Sequence, residues 1–96
     1  MSAPADPSAG AQDDLRAVYD QEVADRLPRL EAALAAWPED TTIIARDAHA
    51  LAGTGFVSGA RPAALAARAL ECGLRDGGGT PALLTALVAE LRQGCR

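Results

Sequence analysis

Three breaks divide the sequence into segments with helical periodicity, and they limit the chain to a small set of folds. The breaks are Trp37-Pro38, Gly59–Pro62 and Asp76–Pro81, where prolines or consecutive glycines interrupt the apolar pattern. Between them, apolar residues recur every three or four positions, as in amphipathic helices. Alanine and leucine, which favour helix, supply most of the 49% hydrophobic content, and β-branched residues are scarce. The pattern predicts an all-α fold, an antiparallel up-down four-helix bundle.

The N-terminal segment predicts a polar leader followed by a long helix. Residues 1–12 are too polar and too rich in helix breakers to bury surface, so we expect them to be disordered and the folded domain to span residues 13–94. The first helix is predicted to start near Leu15 after an aspartate N-cap. Pro28 lies inside its apolar pattern. We predict one continuous helix kinked there, with two shorter helices as the alternative.

The later breaks in the apolar pattern predict where the remaining three helices begin and end. The helix after Trp37-Pro38 is predicted to reach about Ser58, with capping side chains among residues 39–42 and Gly59 as its C-cap. The third is predicted from about Pro62 to Arg75. The apolar spacing predicts that its buried residues are Leu65, Ala69 and Cys72, with Leu70 and Leu74 beside them. The fourth is predicted to start at Pro81, and its apolar stripe comprises Leu84, Leu87, Val88 and Leu91.

Charge and composition argue against several classes of partner. The chain has nine arginines, no lysine and 13 acidic residues, a net charge of −4, which disfavours binding to nucleic acid. The arginines are scattered in sequence, no apolar run approaches the roughly 20 residues of a membrane span, and no signal peptide is recognisable. Cys72 and Cys95 lack metal-site spacing. We therefore expect a cytoplasmic protein that binds neither nucleic acid nor membrane and holds no metal.

The single histidine, His49, lies on the second predicted helix, away from its apolar sector. On a helical wheel it falls roughly 140° from the sector shared by Ile44, Ala48, Leu51 and Gly55. Histidines with a structural role usually lie at the edge of the core, where their ring nitrogens form hydrogen bonds with core groups. The pattern instead predicts an imidazole on an accessible patch. The predicted patch comprises Ala45, Ala52, Gly53 and Phe56, with Arg46 at its edge.

The sequence also predicts the roles of four residues near His49. Gly53 is predicted to leave room for a partner, and Gly55 to permit a close helix crossing. Phe56 is either a partner contact or partly buried under the Gly59 loop. Asp47 falls on another face than His49, so we expect a solvated acid and no base paired with the imidazole.

Three short segments resemble the histidine-containing phosphotransfer (HPt) domain of bacterial two-component phosphorelays. They are A-H-A-L-A-G at Ala48–Gly53, the Gly59-Ala60 pair whose glycine follows the histidine by ten residues, and A-L-E at Ala69–Glu71. The resemblance spans about residues 15–91 and implies a four-helix bundle with His49 exposed midway along one helix. The family commonly has lysine three residues after the histidine, where this chain has Ala52.

The missing lysine removes a positive charge that the family places near the phosphoryl group. Arg46, one turn before His49, is the nearest candidate for charge compensation, and Arg61 is a weaker one.

The resemblance implies that His49 carries a phosphoryl group between aspartates of response-regulator receiver domains, in a pathway fed by a hybrid sensor histidine kinase. A neutral imidazole is nucleophilic near pH 7, and the acidic pocket of the receiver would supply Mg²⁺. The chain itself would need no cofactor and would act as a monomer. Gly77–Gly79 is a turn and not a nucleotide loop, so no autonomous kinase activity is expected. Two alternatives stay open: a docking module whose His49 is rarely phosphorylated, and a helical bundle with an incidental histidine.

Overall fold

The chain folds into four helices joined by short connections. The computed structural model describes residues 7–94, and the side chains of residues 14–93. No strand occurs within that range, and none of its helices is long and apolar enough to cross a membrane. The all-α, four-helix prediction is therefore confirmed. The helices are α1 (Pro7–Ala35), α2 (Thr41–Ser58), α3 (Arg61–Arg75) and α4 (Pro81–Gly94).

Helix α1 begins earlier than the sequence predicted. It starts at Pro7 and not near Leu15, so residues 7–12, assigned to the leader, are helical. Residues 1–6 of that leader lie outside the described residues. A proline at the first helical position costs little, because its missing N–H has no partner within the helix anyway. Pro28 lies inside α1, which remains one continuous helix as predicted.

The core is built from leucines at the centre and alanines where helices approach closely. The predicted core sector of α2 and the predicted stripe of α4 are both buried, which confirms those two patterns. Each helix contributes at least one large side chain that is almost fully enclosed. These residues are Leu30, Ile44, Leu51, Leu70, Leu84, Leu87 and Leu91.

The predicted buried face of α3 is wrong. Leu65 is 47% exposed, Ala69 is exposed and Cys72 is only half-buried. The apolar spacing favoured Leu65, but most of the residues that α3 buries are alanines. The buried residues of α3 are Ala63, Ala64, Ala67 and Leu70.

A close crossing of α2 and α3 explains this choice of small residues. A Cβ atom added at Gly55 would lie 2.9 Å from the Cβ of Ala64, so neither position has room for a larger side chain. A second contact joins His49 to Glu71, six residues before Gly55 on α2 and seven after Ala64 on α3. The two helices therefore run in opposite directions. The prediction that Gly55 permits a close crossing is confirmed.

A buried ion cluster joins α1 to α2. The Asp47 side chain is 3% exposed. Its carboxylate accepts hydrogen bonds from Arg26 (2.8 Å) and from two nitrogens of Arg29 (2.7 and 3.2 Å). Burial lowers the pKa of Arg26, but hydrogen bonds and the charges of Glu22 and Asp47 together raise it above its ordinary value. The expectation of a solvated acid at Asp47 is wrong, because the wheel of α2 alone could not show the α1 arginines.

The two ends of α2 differ in how they are capped. Asp40 occupies the N-cap position with φ 60°, but no side-chain capping hydrogen bond forms there, so the predicted side-chain cap is wrong. Gly59 is the C-cap, as predicted, with φ 86°. That left-handed conformation favours glycine, and it lets the backbone N–H groups of residues 59 and 60 bond to the carbonyls of Phe56 and Gly55. The tight turn leads directly into α3.

Candidate functional site

His49 projects from the middle of α2, and 77% of its side chain is exposed. Its Nδ1 lies 2.6 Å from Oε2 of Glu71 on α3. The Glu71 side chain is mostly covered, with 19% exposed. The antiparallel packing of α2 and α3 therefore places an exposed imidazole against a nearly enclosed carboxylate.

The contact with Glu71 fixes which nitrogen of the neutral ring is free. An ionised carboxylate only accepts hydrogen bonds, so Nδ1 carries the proton and donates it, and the lone pair resides on Nε2. A carboxylate at Nδ1 also stabilises positive charge that develops on the ring when Nε2 forms a bond. The site thus contains a nucleophilic nitrogen with an oriented partner.

Sequence reasoning missed Glu71 as a functional residue. The expectation that no base pairs with His49 is wrong, since the partner comes from another helix, 22 residues later. The available signal was the A-L-E segment at Ala69–Glu71, which carried part of the family resemblance. That segment indicated the family, but it did not indicate that Glu71 contacts His49.

A cation lies on the far side of the same carboxylate. Nη2 of Arg75 is 3.8 Å from Oε2 of Glu71, one helical turn away on α3. The Arg75 side chain is exposed, so this pair adds little to stability. Its effect is local, because it places positive charge beside the His49–Glu71 pair.

The predicted patch around His49 is only partly accessible. Gly53 is exposed, and a Cβ atom added there would meet nothing within 4 Å. Arg46 is exposed as well, but no carboxylate of residues 14–93 lies within 4 Å of its guanidinium. Ala45 is half-buried, and Ala52 is buried with 7% exposed. The prediction that Ala52 is accessible is wrong, because α3 covers that flank of α2.

Phe56 occupies a position between core and surface. Its ring is half-buried and packs against the core, so the partial burial that the sequence left open is confirmed, and its role as a partner contact stays a prediction. The guanidinium of Arg68, on α3, lies 5.3 Å from the centre of the ring. Phe56 is therefore fixed in place, and it supports a charged side chain above it.

The exposed face of α2 is rotated away from α3 when it is compared with the accessible patch that the sequence predicted. Two large apolar side chains on it, Ile43 and Val57, are 48% and 58% exposed. We use the name α2 outer face for five exposed residues of α2 that lie within about 120° of arc around the helix. Its members are Ile43, Arg46, His49, Gly53 and Val57.

A groove of about 610 Å³ opens beside the site at one end of the bundle. Trp37 and Ala45 line it on one side, and Glu71 and Arg75 line it on the other. The reactive pair therefore lies at the edge of a concave surface. Among the side chains of residues 14–93, no group of three or more metal-binding residues is placed to hold an ion.

Comparison with known proteins agrees with this geometry. The family model of the Hpt domain matches residues 14–94, which cover all four helices apart from the start of α1. No curated protein matches the chain significantly, and no solved structure does. Because the family model covers most of the chain, the protein belongs to the Hpt domain family, the histidine phosphotransfer modules of two-component signalling.

Proposed function

We propose that the protein relays a phosphoryl group between receiver aspartates through phospho-His49. The observation that carries this proposal is the exposed imidazole of His49, held through Nδ1 by Glu71 at 2.6 Å. Response-regulator receiver domains and a hybrid sensor histidine kinase are the partners, and the cytoplasm is the compartment. The protein acts as a monomer.

The proposed transfer uses the free ring nitrogen. Nε2 of His49 attacks the phosphorus of the receiver's acyl phosphate, a P–N bond forms, and the aspartate leaves as a carboxylate. The reverse reaction delivers the group to the next receiver. Glu71 holds the ring in the attacking orientation and offsets the positive charge that develops on it. Arg46 is the proposed source of charge compensation on α2, where the family's lysine position holds Ala52.

The direct test is transfer from a phosphorylated receiver. Incubating the protein with a ³²P-labelled receiver should move the label to this chain. A phosphoramidate bond on histidine is labile in acid and stable in alkali, so the label should be lost in acid and kept in alkali. A label lost in alkali as well as in acid would place the acceptor on a carboxylate, and a label stable in acid would place it on a hydroxyl group; either result would reject the proposed mechanism.

A docking module without phosphorylation is the second candidate. The observation that favours it is Ala52, which leaves no lysine beside the histidine. In that case the protein should bind a receiver domain yet acquire no label from its phosphorylated form. One binding titration and one labelling experiment on the same receiver separate the two functions.

Glu71→Ala should slow transfer at least about tenfold, which corresponds to about 1.4 kcal/mol of transition-state stabilisation. The variant leaves Nδ1 of His49 without its acceptor, so the ring loses both orientation and charge stabilisation. Glu71→Gln is the matched comparison, since its amide oxygen accepts the same hydrogen bond without a charge. Its rate should fall between those of the parent and the alanine variant. Equal rates for parent and Glu71→Ala, measured by rapid quench, would show that the contact does not position the imidazole.

Gly53→Leu should preserve the fold and slow phosphotransfer at least about tenfold. Open space surrounds the position, so the new side chain meets no neighbour in the free protein, and leucine favours helix more than glycine does. The bulk lies one turn from His49 and obstructs an approaching receiver. A thermal melt followed by circular dichroism and one transfer assay measure both effects.

Ala89→Leu is the control for Gly53→Leu. It adds similar bulk at an exposed position of α4, on another helix than His49. This variant should transfer at the parent rate. If Gly53→Leu also transfers normally, receivers do not dock on the α2 outer face.

A further inference from the structure

The arginines of this chain divide into two groups by their partners. Eight of the nine lie within residues 14–93, and five of these form ion pairs with carboxylates. For the other three, no carboxylate of the described side chains lies within 4 Å. These three are Arg46, Arg61 and Arg68, and all of them are exposed.

The three unpaired arginines lie on α2 and α3, the two helices whose packing holds His49 against Glu71. Arg46 precedes His49 by one turn of α2. On α3, Arg61, Arg68 and Arg75 recur every seven residues, which keeps them within about 40° of one another on the helix. Glu71, which contacts His49, lies at the edge of this row. The row therefore flanks the reactive imidazole along the α2–α3 boundary.

Arg68 is held in position before any partner arrives. Its guanidinium lies 5.3 Å from the centre of the Phe56 ring, and Phe56 itself packs against the core. A cation over an aromatic face loses less conformational freedom when it binds an anion, because part of that freedom is already lost.

The row of arginines on α3 is short enough to fit within one protein–protein interface centred on His49. Arg61 lies ten residues from Glu71, which is about 15 Å along α3 at 1.5 Å per residue. A standard interface covers about 800 Å² on each partner, equivalent to a disc of about 16 Å radius. A partner with a standard interface centred on His49 therefore extends along α3 as far as the neighbourhood of Arg61.

We propose that Arg46, Arg61 and Arg68 form a cationic docking strip for a carboxylate-rich surface of the receiver partner. The inference rests on the proposed function, which brings an aspartate and its acidic surroundings to His49. Guanidinium groups bind carboxylates with two parallel hydrogen bonds, and unpaired ones need not break an existing ion pair first. The three positive charges of the strip are complementary to the carboxylates that this partner presents.

The test compares two double variants of the full chain that change the total charge equally. Arg61→Gln with Arg68→Gln removes two strip residues, and Arg16→Gln with Arg92→Gln removes two arginines of ion pairs on α1 and α4. Each pair shifts the net charge from −4 to −6, because two positive charges are lost. Calorimetric titration with an unphosphorylated receiver measures Kd at about 0.02 M and about 0.5 M salt.

The strip variant should bind the receiver about tenfold more weakly than the parent at low salt, and its Kd should respond less to added salt. The control variant should stay within about twofold of the parent. An equal loss in both variants would show an effect of net charge alone and overturn the strip, as would an unchanged Kd in the strip variant. Phosphotransfer is measured separately, so a complex that forms through the strip without transfer rejects the proposed function and not the docking surface.

Discussion

Replacing His49 with glutamine is expected to abolish phosphoryl acceptance while the fold stays intact. Glutamine offers an amide in place of the imidazole, and an amide nitrogen has no nucleophilic lone pair with which to attack phosphorus. The side chain is mostly exposed, and exposed substitutions usually change the free energy of unfolding by less than about 0.5 kcal/mol. The parent and the variant should therefore give the same circular dichroism melt, and only the parent should acquire label from a phosphorylated receiver.

The chain contains no second histidine, which makes this experiment unambiguous. Any acid-labile label on the variant would place the acceptor on another residue and reject the mechanism. Chemical phosphorylation with phosphoramidate provides the control, because it modifies imidazole without a receiver. If phosphoramidate labels the parent but a receiver does not, the imidazole is reactive and the docking-module hypothesis is favoured.

Asp47→Ala is expected to lower the free energy of unfolding by about 3 kcal/mol. The carboxylate is buried and accepts three hydrogen bonds from two arginines of α1. Removing it leaves Arg26, which is mostly covered, and the more exposed Arg29 without their shared acceptor. Breaking a buried pair from one side costs more than the pair itself contributes, and Arg26 then keeps only its ion pair with Glu22. Urea unfolding followed by circular dichroism measures the loss.

Asp25→Ala supplies the comparison for the buried acid. Asp25 lies on α1 and is exposed, with a single hydrogen bond from Gln21. Its removal should change the free energy of unfolding by less than about 0.5 kcal/mol. Similar stabilities for the two variants would mean that the cluster around Asp47 does not hold α1 against α2.

The residues that were predicted well are those whose environment depends on one helix. The buried stripe of α4, the core sector of α2 and the C-cap at Gly59 all follow from local periodicity and backbone conformation. The four-helix fold follows from the breaks between these segments. None of these features required knowledge of which helices are neighbours.

Three of the errors share a different cause, since each involves a side chain from another helix. Asp47 was taken for a solvated acid because its arginines lie 18 and 21 residues away on α1. Ala52 was assigned to an open patch because a wheel of α2 contains no α3 to cover it. Glu71 was missed as the partner of His49 for the same reason. A charge pattern on one helix cannot identify the groups that neutralise it on the next.

The early start of α1 shows that the composition of a short segment does not by itself determine whether the segment is helical. Residues 7–12 carry no large apolar side chain, which favoured disorder in the sequence analysis. They directly precede a long helical segment, and extending an existing helix avoids the unfavourable nucleation step. Whether such a stretch is helical depends on its neighbours more than on its own residues.

The contact between Gly55 and Ala64 makes the hydrogen bond between His49 and Glu71 depend on the spacing of two helix axes. Gly55 lies six residues, about 9 Å along α2, from His49, and no side chain there touches the imidazole. Yet only helices that approach this closely bring the Glu71 carboxylate within 2.6 Å of Nδ1. A single methyl group inserted at this crossing would push the helices apart and remove the hydrogen-bond acceptor from a ring that it never contacts. The orientation of the proposed phosphoryl acceptor thus depends on a packing distance as much as on the residues of the site.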